Sequence, residues 1–326
     1  MSAIEDHHRP SLKMEGFQWV RMLGRGGFAT THLFQDLHRH YGADFITMKV
    51  PHDKEREEPL IRGDILSLAS LRDIDYVVKF LDVRCIQGRY VLLMEFVDGP
   101  SLRDLIGPAG EGRPLAIARA VAYALHTARG LEASHRRHMV HRDIKPANII
   151  ISKTDDTARI LDFGIATIAD TLGEFETRHK RHTPVYAPPE MIFDGKGDHR
   201  VDIYALGVTL FEMLTGRLPH YRRGANWMYP VVRMREVGPP SLREINPGIP
   251  RHLEQAVHKA LAPDPDRRFA DMGALIRALG PPPELKLAQD HLAAGAVRRA
   301  EHVLTALMER APEDVRGFAA LAAMFN

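Results

Sequence analysis

Residues Val201–Leu214 run Val-Asp-Ile-Tyr-Ala-Leu-Gly-Val-Thr-Leu-Phe-Glu-Met-Leu. Wound as a helix, this segment is apolar on nearly every side, the pattern of a helix enclosed by other structure. It is too short, and Glu212 interrupts it, to cross a bilayer, which takes about 20 apolar residues. The other long apolar stretch, Tyr90–Val97, is broken by Glu95, so no membrane span is expected. A chain built around such a helix needs a large body about it. At 326 residues, 44% hydrophobic and 26% charged, it has globular proportions and length enough to bury a sizeable core. Its single cysteine, Cys85, rules out an internal disulfide and points to a reducing compartment. The first ten residues, MSAIEDHHRP, lack the basic start and apolar run of a signal peptide, so a cytoplasmic location is expected. Lys+Arg 44 against Asp+Glu 42 leaves +2, too near neutral for a nucleic-acid binder driven by bulk charge.

Three stretches of different character follow a polar start, residues 1–15, expected to be loose. From Phe17 to about Val97 the chain favours short strand-like runs: Phe17–Leu23, Phe28–Asp36, Phe45–Val50, Val78–Arg84 and Tyr90–Val97. Among them Ile61, Ile65, Leu68 and Leu71 recur at helical spacing, so a small sheet with one helix is expected. After Pro100 the pattern turns helical: Leu115–His135, Val201–Leu214, Leu253–Leu261 and Met272–Leu279. Gly280-Pro281-Pro282-Pro283 then breaks the chain, since a proline run cannot continue a helix. Beyond it an alanine-rich tail reads as three helices, Glu284–Ala294, Val297–Arg310 and Glu313–Phe325.

The residues able to do chemistry cluster in the first two stretches. Leu23-Gly24-Arg25-Gly26-Gly27-Phe28-Ala29 lies between two strand-like runs, where glycines let backbone N–H groups approach phosphates. A strand follows it, not a helix, so it is no dinucleotide fingerprint. Lys49 alternates with apolar neighbours in Ile46–Val50 and could point into a cleft. Val140-His141-Arg142-Asp143-Ile144-Lys145-Pro146-Ala147-Asn148 is followed, fourteen residues after Asn148, by Asp162-Phe163-Gly164. Phosphorylation of a hydroxyl needs this inventory: a carboxylate for the proton, cations beside the moving phosphoryl group and oxygen ligands for Mg²⁺. The 18 histidines include no H-E-x-x-H, so no zinc site is expected.

From about Phe17 to Leu279 these motifs, in this order, resemble the bacterial eukaryotic-like Ser/Thr protein kinases. The resemblance implies an α+β fold of two lobes, a β-rich lobe over residues 16–97 and a helical lobe over 98–280, with ATP between them. It implies Asp143 as catalytic base, Lys145 beside the transferring phosphoryl group and Lys49 on the α/β-phosphates. Gly24, Gly26 and Gly27 would cover the phosphates, and Asn148 and Asp162 would hold Mg²⁺. Met94 takes the gatekeeper position, and the backbones of Glu95 and Val97 would bond adenine. Asp64 is the acid expected to pair with Lys49, ahead of Glu57 and Glu58, which would need a register shift of about two turns. His182–Glu190 resembles the end of an activation loop, with Glu190 paired to Arg268, and Asp202 resembles the buried aspartate that holds the catalytic loop. Arg142, Thr177 and Thr183 are the regulatory candidates, the threonines in the loop and Arg142 as a partner for phosphate.

Several positions depart from the family pattern. Aspartate at 64 is one methylene shorter than the usual glutamate. Ala29 replaces a glycine, Thr31 and Thr47 replace apolar residues around adenine, and Pro188 replaces an alanine. Ala147 stands where kinases that prefer basic substrates carry an acid. In the tail, Ala293-Ala294-Gly295, Ala300, Leu304, Leu307 and Pro312 resemble a tetratricopeptide repeat over residues 284–326, a surface for a partner protein. The expected function is transfer of the ATP γ-phosphoryl group to protein Ser/Thr hydroxyls, with autophosphorylation. The alternative is a pseudokinase scaffold that binds nucleotide and works through its tail.

Overall fold

The computed structural model describes residues 10, 14–25, 29–52, 71–161, 184–195, 197–226, 228–280 and 283–310. The helix expected over Glu55–Leu71, except Leu71, which stands in a turn, and the last tail helix, with Gly26, Gly27, Asp64, Asp162, Thr177 and Thr183, lie outside them. The chain divides into two compact units, one of residues 1–105 with 130–183, the other of 106–129 with 184–326.

In the first unit, five antiparallel strands form a sheet in the order β1-β2-β3-β5-β4: β1 (Phe17–Arg25), β2 (Ala29–Asp36), β3 (Phe45–Pro51), β4 (Phe80–Ile86) and β5 (Arg89–Glu95). The period-2 alternation of strand side chains gives the sheet two distinct faces. On one, Phe17, Phe34, Ile46, Met48, Val50, Val91 and Leu93 make an apolar core. On the other lie Thr47, Lys49, Leu92 and Met94, with Thr47 opposite Met94 and Lys49 opposite Leu92. Met94 packs there with Val78, Val97, Ile150 and Leu161.

Ile150 and Leu161 belong to a second, two-stranded hairpin, β6 (Ile149–Ile151) and β7 (Ala158–Ile160), which the sequence reading did not anticipate. Backbone bonds stitch it to both neighbouring segments. Val78 N–H donates to Ile160 O at 2.9 Å, and Ile160 N–H to Tyr76 O at 2.8 Å. Ile151 N–H donates to Pro100 O and Lys153 N–H to Asp98 O, each at 2.9 Å. The approach at Gly99 is so close that a Cβ would lie 1.8 Å from Ile151 O. Val78, read as the start of a strand, thus spends its N–H on β7, and β4 begins at Phe80.

Short helix α1 (Leu102–Ile106) leads to α2 (Ile117–His135), and both bridge the two units in sequence. In the second unit follow α3 (Pro189–Phe193), α4 (Arg200–Thr215), α5 (Met228–Val237), α6 (Leu242–Ile245), α7 (Arg251–Ala260) and α8 (Met272–Leu279). All of Val201–Thr215 is buried, as the all-round apolar pattern requires. Gly216 ends α4 at φ +72°, where a Cβ would also meet Gly112 O at 2.7 Å. Glu212, buried in α4, accepts from Tyr186 Oη at 2.6 Å and Gly110 N–H at 3.2 Å, so both its oxygens are hydrogen-bonded. The tail contributes α9 (Pro283–Ala293) and α10 (Val297–Arg310), an antiparallel pair that buries Ala288, Ala300 and Leu304 between them. Among the described residues no helix is long and apolar enough to cross a membrane.

Candidate active site

The segment from His141 to Asn148 is shaped from its ends. His141 is buried; its Nδ1 accepts the Asp143 N–H at 3.2 Å, so its Nε2 carries the proton and meets Leu161 O at 2.9 Å. Leu161 N–H in turn donates to Asn148 O at 2.9 Å. These bonds tie the two ends of the loop to the residue just before Asp162. Arg142 adopts φ +63°, a left-handed conformation that costs a residue with a Cβ about 1 kcal/mol or more. A turn of 3₁₀ helix, Pro146–Asn148, then brings Asn148 back over the loop.

The result is a small polar constellation. Lys145 Nζ donates to Asp143 Oδ2 at 2.7 Å, and Asn148 Nδ2 donates to the same oxygen at 2.9 Å and to Asp143 O at 2.8 Å. Asp143 and Lys145 are each about one-quarter exposed or less, at 26% and 19% of side-chain area, so the pair is partly desolvated yet open to a reactant. Both bonds to the carboxylate end on Oδ2, which orients Oδ1 as the remaining proton acceptor. Because Asn148 uses its amide nitrogen on Asp143, its Oδ1 is turned away as a hard oxygen donor. An oxygen donor of that kind suits Mg²⁺.

Lys49, 8% exposed, lies on the sheet face that Met94 shares with Leu161. The sheet and the hairpin thus place it on the same side as the chain entering Asp162. Gly24 sits in β1 opposite Thr31, next to a register shift, and a Cβ there would meet nothing within 4 Å. Its backbone is therefore open to a ligand's approach.

Glu95 and Val97 follow β5. Glu95 N–H donates to Lys79 O at 2.9 Å. The Glu95 carboxylate has a role the sequence did not disclose. It accepts Lys79 N–H at 2.9 Å and pairs with Arg159 of β7 at 3.4 Å. Arg159 also reaches Asp155 at 3.2 Å. Hydrogen bonds from Ser152, Thr157 and Arg159 hold the Asp155 carboxyl well below its ordinary range, so it stays charged opposite Arg159. The signal for this link was Arg159 itself, a charged residue between Ala158 and Ile160, whose long-range partner no local pattern reveals.

Residues 17–277 match the protein kinase domain family. Among similar curated proteins, the serine/threonine-protein kinase Pkn1 of Myxococcus xanthus is 33% identical over 303 residues, 91% of this chain and 41% of that protein. PknD of Mycobacterium tuberculosis is 31% identical over 290 residues, covering 88% and 42%. PrkC of Bacillus subtilis is 31% identical over 255 residues, covering 78% and 38%. The chain spans about two-fifths of the length of these relatives. The crystal structure of the kinase domain of M. tuberculosis PknI superposes with a TM-score of 0.59 at 23% identity, covering 82% of this chain and 96% of that one. That likeness is one of fold.

Proposed function

The chain belongs to the protein kinase domain family, and from that premise we propose that it is a protein-serine/threonine kinase that uses ATP and Mg²⁺. The observation that carries the reading is the Asp143 carboxylate held through one oxygen by Lys145 and Asn148. Asp143 Oδ1 accepts the proton of a substrate Ser or Thr hydroxyl. The hydroxyl oxygen forms the new bond to the γ-phosphorus, the bond from that phosphorus to the β,γ-bridging oxygen breaks, and ADP leaves. Lys145 is 2.7 Å from the base and brings a positive charge to the oxygens of the transferring group. Lys49 holds the α/β-phosphates, Gly24 with Gly26 and Gly27 covers them, and Asp64 orients Lys49. The Glu95 carbonyl and the Val97 backbone bind adenine under Met94.

Asn148 and Asp162 are the residues that would hold Mg²⁺; when bound, the ion neutralises phosphate charge. Arg142, Thr177 and Thr183 form the regulatory set, with autophosphorylation ordering the loop through Arg142. The tail, residues 284–326, recruits a partner protein.

The test is incubation of the purified protein with Mg²⁺, ATP and a protein substrate, beside Asp143→Asn, with sites mapped by mass spectrometry. The reading requires phosphate on Ser or Thr with the parent and a loss of at least about 10²-fold with the variant. A parent that gains melting temperature with nucleotide but transfers no phosphate to itself or to any protein substrate would instead be a nucleotide-binding scaffold.

A further inference from the structure

The chain as a whole is near neutral, but its charge is unevenly placed. Between Gly216 and Arg243 stand six arginines, Arg217, Arg222, Arg223, Arg233, Arg235 and Arg243, against one acid, Glu236. Arg217, Arg222, Arg223 and Arg235 are exposed, Arg223 with 88% of its side chain in solvent. The same region carries exposed aromatic surface. Of the four exposed phenylalanines and tyrosines among the described residues, Phe193, Tyr221 and Tyr229 lie here, each 37–38% exposed. Val237 adds an exposed apolar side chain at 55%.

These residues share one part of the second unit. On α5, Val231 and Met234 are buried, which turns Tyr229, Arg233 and Glu236 to solvent along one stripe. Arg235 lies over the Phe193 ring at 4.7 Å, joining α5 to the end of α3. Tyr221 and Arg223 both reach Glu111, at 2.9 and 3.4 Å. Beneath them Leu218, Pro219, Pro230, Val231 and Met234 line a shallow apolar depression whose wall includes Val185, two residues after Thr183. The bordering acids are few: Glu111 and Glu236 are each paired with an arginine, and Asp194 follows Phe193. Exposed tyrosine and arginine around an apolar depression make the composition of an interface hot spot, not of an ordinary solvated surface.

We propose that α5, the end of α3 and residues 217–226 form a docking surface for an acidic segment of the protein substrate, anchored by an apolar side chain. The occupant follows from charge: the surface offers arginines to carboxylates and would repel a basic segment. Ala147, lacking the acid that would favour a basic substrate, fits the same preference. The proposal rests on the phosphoryl-transfer reading above and names its substrate class.

Two readouts keep the proposal and that reading apart. Binding of fluorescein-labelled dephosphorylated casein is followed by anisotropy. Phosphorylation is measured on casein, on myelin basic protein and on a short uncharged serine peptide. The variants are Arg222→Glu/Arg223→Glu and Tyr229→Ala. The parent is expected to bind casein with an affinity that falls as salt rises, and to show a lower KM for casein than for the basic protein. The double variant should raise the Kd and the KM for casein roughly tenfold and Tyr229→Ala severalfold, with transfer to the short peptide within about twofold of the parent. Casein binding unchanged in both variants overturns the docking surface, even where transfer is intact. Arginine-dependent casein binding by a parent that phosphorylates nothing leaves a binding surface but overturns its role in substrate choice, and with it the kinase reading. Arginine-dependent binding to phosphatidylserine vesicles, with casein binding unaffected, assigns the face to a membrane and overturns the protein partner.

Discussion

Arg159 borders the proposed nucleotide site without any place in it. Its guanidinium joins the Asp155 turn to the Glu95 carboxylate, and Glu95 begins the backbone stretch proposed to bind adenine. Losing that link removes the charged partner of the Glu95 carboxylate and leaves the side chain to the Lys79 N–H. Arg159→Ala is therefore expected to raise the KM for ATP severalfold with kcat nearly unchanged, and Arg159→Lys to restore part of the loss. A fall in kcat at constant KM would place Arg159 in the chemistry instead. Asp36 yields a prediction of another kind. Burial alone would raise its carboxyl, but hydrogen bonds from the His40 ring and from the backbone N–H groups of this turn outweigh burial and hold it below its ordinary value. As pH falls, the unfolded chain takes up the proton first. The stabilisation is thus complete above about pH 4 and disappears as acid reaches the lower folded-state value. In urea unfolding, the parent's advantage over Asp36→Asn should be constant from pH 7 to 5 and shrink below about pH 4.

Local pattern revealed elements where period and burial agree. The strand around Met48 was legible because every second residue is apolar, the strand around Leu93 because Tyr90–Met94 is a short unbroken apolar run, and α4 because nearly all its residues are apolar. The hairpin β6–β7 was not, because strands of three residues are too short to show a period and Ile149–Ile151 is uniformly apolar. Its place is set by backbone bonds to residues 76–78 and 98–101, far away in sequence. The loop Asp143–Asn148 was legible in composition, but the choice of Oδ2 as the shared acceptor needed the 3₁₀ turn. Between elements, the clearest link read from sequence is Arg268 with Glu190. The arginine side chain is fully buried and bonds Glu190 at 2.6 and 2.8 Å, Ala262 O at 2.8 Å and Pro263 O at 3.0 Å. It also lies 4.9 Å from the ring of Tyr204, so α3, α4 and the turn before Phe269 meet on one side chain. Arg268→Met should cost about 3–5 kcal/mol in urea unfolding, because Glu190 keeps a poorly solvated charge without its partner. Adding Glu190→Gln should return a good part of that loss. If the double variant is no more stable than Arg268→Met, the backbone carbonyls, not the ion pair, carry the effect.

At the scale of the whole molecule, the question is whether the tail hairpin is part of the kinase body or an attachment to it. Asp271 caps the start of α8 by accepting the Ala274 N–H at 2.7 Å, and Gly280 N–H closes its end on Ile276 O at 2.9 Å. The family match ends at residue 277, within this capped helix. Beyond it, α9 and α10 bury Ala288, Ala300 and Leu304 against each other, with Leu292 and Val303 beside them, around a turn at Gly295 with φ +71°. Leu287 and Val297 remain 46% and 49% exposed, so the pair leaves apolar surface unburied. Among the described residues the buried apolar side chains of the hairpin pack on one another; a hairpin of that kind contributes little to the stability of its neighbour, whereas a cap on the helical lobe would bury its apolar side against that lobe. A chain ending at Gly280 is therefore expected to melt cooperatively within about 3 °C of the parent and to phosphorylate a short serine peptide within about twofold. A drop of ten degrees or more, or loss of transfer to the short peptide, would make α9 and α10 a structural cap. The arginine-rich surface around α5 is kept whole in the shortened chain, so casein should still be preferred over the basic protein, and only a partner that binds the hairpin should be lost.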